Sequence, residues 1–169
     1  SQIDINVVGP NACRITATRA IITKDPRNIE LIQAHLVRGN QQVTAQHATL
    51  YLDDKNEVNR VLAQGDVRGE VQGRSNITSH ADSAEFFLAE KGSALRNAVL
   101  SGDVQIHSTG AQIADATAGR IVLDFAGKKD LQKVHAERDV RLRQQQPADT
   151  TTSRKGQDVE IAASAMDAF

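Results

Sequence analysis

The residues of this chain that could carry chemistry are five histidines, one cysteine and a recurring aspartate. His35, His47, His80, His107 and His135 are separated by 12, 33, 27 and 28 residues. A zinc site takes three or four His, Cys or carboxylate ligands at short, defined spacing, and these gaps do not supply one. Cys13 stands alone, which excludes an internal disulfide and a multi-cysteine metal site. No Gly-x-Ser-x-Gly elbow is present for a serine nucleophile. Asp66, Asp103 and Asp139 recur in register, as a carboxylate ladder for calcium or catalysis would. They alternate with the apolar residues of their segments and are therefore expected to face outward, solvated or stabilising turns. Six Lys and Arg stand against three acids between Lys128 and Arg143. That cluster suits lipid phosphates at one end of a groove, but a solvated face is the simpler reading. No catalytic residue, metal ligand or cofactor site emerges, and no enzyme is expected.

The apolar residues are arranged with more purpose. A phrase of two small residues three apart recurs at Ala17–Ala20, Ala45–Ala48, Ala81–Ala84, Ala116–Gly119 and Ala162–Ala165. Three of these units continue with alternating apolar residues: Leu50 and Leu52, Phe86 and Leu88, Ile121 and Leu123. Between these lie Tyr51, Phe87 and Val122, so the opposite face is not purely polar. Polar clusters follow at residues 25–28, 53–56, 90–93 and 127–130, where hairpin turns are expected. A return segment comes next, with Val61, Ala63, Gly65 and Val67 on one parity. Ala98 to Ile106 and Val134 to Leu142 alternate in the same way. Within these segments sit Gly65-Asp66-Val67, Gly102-Asp103-Val104 and Arg138-Asp139-Val140.

Alternation over this length predicts half-buried strands. Residues three apart in a flat strand face opposite ways, so two inward Ala residues require a bulge or bend between them. The same bend in every unit predicts a sheet folded along a crease. Arg138 in place of Gly leads to the expectation that the third return strand bends differently. Helix is kept as a minor alternative for the Ala-rich C-terminal end. Residues 144–157 read as a loop.

The 169 residues suffice for one domain with its own core. Basic and acidic residues balance, 20 against 21, so no nucleic-acid face is expected. One Tyr, four Phe and no Trp argue against a stacking platform. No apolar run reaches a membrane span. Ser1 to Asn11 lack the pattern of a signal peptide. The repeat stops mid-unit at Phe169, from which a fragment of a longer chain is expected.

Thr78-Ser79-His80-Ala81-Asp82-Ser83-Ala84-Glu85-Phe86, together with Leu100-Ser101-Gly102-Asp103-Val104-Gln105-Ile106, resembles the OstA-like lipopolysaccharide-transport family. That family comprises the periplasmic LptA and LptC proteins and the N-terminal domain of LptD. The likeness covers residues 43–142 well, residues 12–42 loosely, and residues 158–169 only at their start. It implies an all-β jellyroll of repeated hairpins, two antiparallel sheets folded in a V, as a single domain over residues 1–169. It further implies a periplasmic, non-enzymatic domain that holds lipopolysaccharide acyl chains in an apolar groove and bridges inner to outer membrane. Neighbouring OstA-like domains would join by end-to-end strand pairing, which also allows homo-oligomers. LptC-type members carry an inner-membrane anchor, a segment absent from this sequence. The expected lipid-binding set is Leu50, Leu52, Ala63, Val67, Phe86, Leu88, Leu100, Val104, Ile106, Ile121, Leu123, Phe125, Val140 and Leu142. Two alternatives stand beside this reading. One is a structural β-solenoid that polymerises through its ends without a ligand; a more distant one is a repeat-built enzyme with stacked acids.

Overall fold

The computed structural model describes residues 3–7, 12–73, 76–89, 94–110, 113–126, 130–146 and 157–168. Among them are eleven strands and no helix. The strands are β1 (Ile3–Val7), β2 (Cys13–Ala17), β3 (Arg19–Lys24), β4 (Arg27–Arg38), β5 (Gln41–Leu52) and β6 (Val58–Val71). They continue with β7 (Asn76–Leu88), β8 (Leu95–Thr109), β9 (Ile113–Ala126), β10 (Asp130–Gln146) and β11 (Gln157–Ala168). All belong to one open antiparallel sheet in which β4 to β11 follow chain order, with β1-β2 beside one end of β4 and β3 beside the other.

The all-β expectation holds among the described residues as far as Ala168. The Ala-rich end is strand β11, registered against β10 from Gln146↔Gln157 to Val134↔Ala168. The ladder to β10 satisfies backbone groups and overrides the helix preference of alanine. The expected loop at 144–157 is shorter at both ends for the same reason: Gln144 to Gln146 finish β10 and Gln157 opens β11. Residues 147–156 lie outside the described set.

The first two turns fall where the polar clusters placed them. Asp25 and Pro26 link β3 to β4, leaving Arg27 and Asn28 in the strand. At the second, Asp53 Oδ1 accepts the backbone N–H groups of Lys55 and Glu57, both at 2.9 Å, and its carbonyl accepts Asn56 N–H at 3.0 Å. Residues 90–93 and 127–129 lie outside the described residues, and Asp130 opens β10.

A line of irregularities crosses the sheet and divides every long strand in two. Gly65 and Asp66, Gly102 and Asp103, and Arg138 and Asp139 all adopt positive φ, between 43° and 78°. At each, the return strand carries one more residue than its partner. Three residues lie between Ala63 and Val67, whereas two lie between their partners Ala84 and Ala81. This is a β-bulge, and it bends the strand that carries it. Gln33, at φ 53°, marks the same line on β4. The third return strand therefore bends like the others, against expectation. Its glycine has moved to the neighbouring strand: a Cβ on Gly119 would lie 2.7 Å from Arg138 Cβ.

The register also corrects the repeat frame. Ala17, Ala45 and Ala48, and Ala81 and Ala84 are buried, as the phrase required, and Ala20 is half-buried. In β9 the buried pair is Ala118 and Ile121, not Ala116 and Gly119, because Ala118 opposes Val104 and Ile121 opposes Leu100. In β11 the inward pair is Ala163 and Met166, opposite Val140 and Ala136, while Ala162 and Ala165 are exposed.

Candidate functional site: the apolar interior

The crease separates a proximal half, holding the 25–26 and 53–56 turns, from a distal half holding Gly39 and Asn40. Side chains of one parity on both halves turn toward each other. One buried cluster joins Ala63, Leu100 and Ile121 of the proximal half to Val67, Val104 and Val140 of the distal half. Phe86, Ile106 and Leu123 pack against it. These nine were all in the expected set, and Val104 is 0% exposed. Leu50 belongs to a second cluster, with Ile15, Ala17, Leu31, Ala34 and Ala48. Leu52, Leu88, Phe125 and Leu142 are half-buried and lie in neither buried cluster.

Sequence reasoning left out the small residues that line the crease: Ala45, Ala81, Ala84, Ala118 and Ala136 are all in the main cluster. For Ala45, Ala81 and Ala84 the signal was the spacing itself, two small residues three apart; for Ala136 it was alternation along the return strand. It also left out Leu31, fully enclosed in β4, where the repeat is weakest.

The interior reaches both ends of the sheet. At one end Ile22 of β3, on the parity of Ala20, is 75% exposed. At the other end Val159 and Ile161 of β11, on the parity of Ala163, are also exposed. A strand's alternate residues share a face, so these side chains continue the apolar face to its rims.

The recurring aspartates and the ion pairs lie outside the interior. Asp66, Asp103 and Asp139 are exposed, as alternation predicted. Asp66 accepts hydrogen bonds from Arg68 Nε at 3.0 Å and from His80 Nε2 at 2.9 Å. The Arg68 contact first, and His80 second, hold its carboxyl below the usual range. His107 meets Asp115 at 2.5 Å. His135 meets Asp167 at 2.9 Å, and Lys133 reaches the same carboxylate at 3.3 Å; both lower its pKa, His135 the more. Among the described residues no three such ligands converge on one point. Burial pushes the Cys13 thiol up, away from the thiolate a nucleophile needs. Of the basic cluster, Lys128 and Lys129 lie outside the described residues, Arg143 pairs loosely with Asp158 at 3.9 Å, and Arg138 is exposed at its bulge.

No described helix is long and apolar enough to cross a membrane. No family model matches the sequence, and the search of the curated proteins found no match. Among solved structures, the chain is similar to LptH, the LptA-homologous periplasmic component of the conserved lipopolysaccharide transport device from Pseudomonas aeruginosa. The two superpose with a TM-score of 0.58 at 15% identity, over 88% of this chain and 93% of the other. At that identity the likeness establishes the fold, and the chain has the creased, open β-jellyroll of an LptA homologue.

Proposed function

We propose that this chain is a periplasmic, non-enzymatic lipopolysaccharide-transport domain whose interior holds acyl chains and whose end strands join other domains of the same fold. The observation that carries the reading is an apolar face made of two buried clusters, one spanning β1 to β6 and one spanning β5 to β11, with inward-parity Ile22, Val159 and Ile161 exposed at its two rims. Burying an acyl chain is worth about 0.8 kcal/mol per CH₂, so a multi-chain lipid needs no polar chemistry to bind. Leu31 and Val104 are enclosed, so the two halves must part along the crease to admit a chain. The bulges are the natural hinge, because pairing is already interrupted there.

A photo-crosslinking residue at half-buried Ile106 or Leu123 should capture lipopolysaccharide, and one at exposed Asp103 should not. Equal capture at all three would mean a generally sticky surface and would overturn the reading. The same enclosure of Leu31 and Val104 favours a second reading, a filled core in a domain that polymerises without a ligand. No capture at any site in the presence of lipopolysaccharide selects it.

Joining at the ends rests on β11, which ends the sheet among the described strands and so offers the backbone groups of its outer edge as a template for another strand. Proline at Val159 and Ile161 removes two donors from that strand. Wild-type chain should show concentration-dependent sedimentation, and this variant should lose it. If both stay monomeric, or both assemble equally, pairing through β11 is wrong.

A further inference from the structure

The outer faces of the two halves are built differently. On the proximal half the polar side chains are paired with one another across strands. Arg60 bonds Glu85, Arg120 bonds Glu137 at 2.9 Å, Lys133 meets Asp167, and Asn97 bonds Asp124 at 2.5 Å. On the distal half a groove of about 720 Å³ crosses β5 to β9. Thr44, Arg68, His80, Gln105 and Thr117 form a row across its floor, each directly opposite the next in register. Thr78 and His107 continue a parallel row beside it. Thr44, Thr78, Gln105 and Thr117 make no side-chain hydrogen bond among the described residues.

The volume lies within the range of ligand sites, about 300–1,000 Å³. Its chemistry rules out several occupants. Charged Arg68, Glu70 and Asp115 line it beside Ile106 and Ala116, and an acyl chain laid there would have to desolvate them. The lining is also too nearly neutral for a polyphosphate or nucleic acid, since Arg68 is already paired with Asp66 and His107 with Asp115. Beside the carboxylates of Glu70 and Asp115, the groove offers hydroxyls, amides and imidazoles, donors and acceptors both, repeated at each strand about 4.8 Å apart. We propose that this groove binds a saccharide chain laid across the strands, through hydrogen bonds from Thr44, Gln105, Thr117 and His80. No Trp, Tyr or Phe lines the groove, so there is no ring to stack on and binding is in the millimolar range.

The test follows backbone amide signals of the full chain during titration with maltohexaose, with a hyaluronan hexasaccharide, and with inorganic phosphate. At least one of the two sugars should move the signals of Thr44, His80, Gln105 and Thr117 and leave those of Glu85 and Arg120 in place. Gln105→Ala combined with Thr117→Ala should weaken that sugar about tenfold or more, as expected for two lost hydrogen bonds. Both residues are exposed, and an unchanged circular-dichroism spectrum confirms that the variant is folded. The proposal is overturned if neither sugar produces shifts, if phosphate reproduces the sugar's shifts, or if the double substitution leaves the affinity unchanged. Arg68, Gln105 and Thr117 directly follow or precede buried Val67, Val104 and Ala118 and so present the other face of their strands, and the signals followed here report on that face and not on acyl binding.

Discussion

The crease is crossed in two ways. At β6 and β8 the return strand carries glycine, and the facing strand carries the larger side chain: Gly65 faces Gln46 and Gly102 faces Asp82. At β10 the arrangement is inverted, with Arg138 on the return strand and Gly119 facing it. Positive φ is nevertheless kept at all three, 76° at Gly65, 78° at Gly102 and 67° at Arg138. The bulge therefore requires room on one side of a cross-strand pair, and either strand can provide it. The strain of a left-handed non-glycine residue, on the order of 1–3 kcal/mol, is accepted at Arg138 and held by the ladders on either side.

The largest expected effect comes from filling a crossing whose partner is already large. A Cβ on Gly102 would lie 2.7 Å from Asp82 Cβ, in a conformation that side chains rarely adopt. Gly102→Val should cost about 2–4 kcal/mol, combining backbone strain with overpacking, read from the urea midpoint. The sharper experiment copies the third crossing onto the second. Gly102→Arg alone should be strongly destabilising, and adding Asp82→Gly should recover more than half of the loss. If the double variant is no more stable than the single one, room at the pair is not what the bulge requires.

Gly119→Ala should have a smaller effect. No positive φ is involved, and the cost comes only from crowding Arg138 Cβ at 2.7 Å. A loss of about 1–2 kcal/mol is expected, and Arg138→Gly in the same chain should remove most of it. An additive double variant would mean that the two residues do not share the space.

This inversion explains which parts of the molecule could be read from the sequence and which could not. Hairpins, parity and the need for a bulge were legible, because each leaves a pattern within one strand. Val67, Val104 and Val140 were placed correctly by alternation alone, and all three are buried. The exchange of Gly and Arg between β9 and β10 was not legible, because it is a property of two strands brought together by folding. The frame slipped in β9 and β11 for a related reason. Runs such as Ala116 to Gly119 and Ala162 to Ala165 offer small residues on both parities, and the inward partners are buried Ile121 and half-buried Met166, which are not small. The distal groove was hidden because Thr44, Gln105 and Thr117 look like any solvated strand face. Only register sets them in one row.

The smallest expected effect concerns charge at the first crossing. Asp66 sits in the bulge at φ 49°, a conformation that Asn tolerates about as well as Asp. Asp66→Asn therefore leaves the backbone nearly undisturbed and removes the charge that holds Arg68 and His80. Those contacts lower the folded carboxyl below its ordinary value of 3.8. A carboxylate with a lowered folded pKa contributes stability that is present above the unfolded value. That contribution is lost as pH falls through the folded value. The wild type should therefore exceed the variant modestly at pH 7, and the difference should shrink as the pH falls below about 4. The group is well exposed, so added salt should reduce the difference at pH 7 as well. Urea midpoints at pH 7, 5 and 3 check the sign. A gap that stays constant across that range would show that Asp66 acts at the crossing through shape and not through charge.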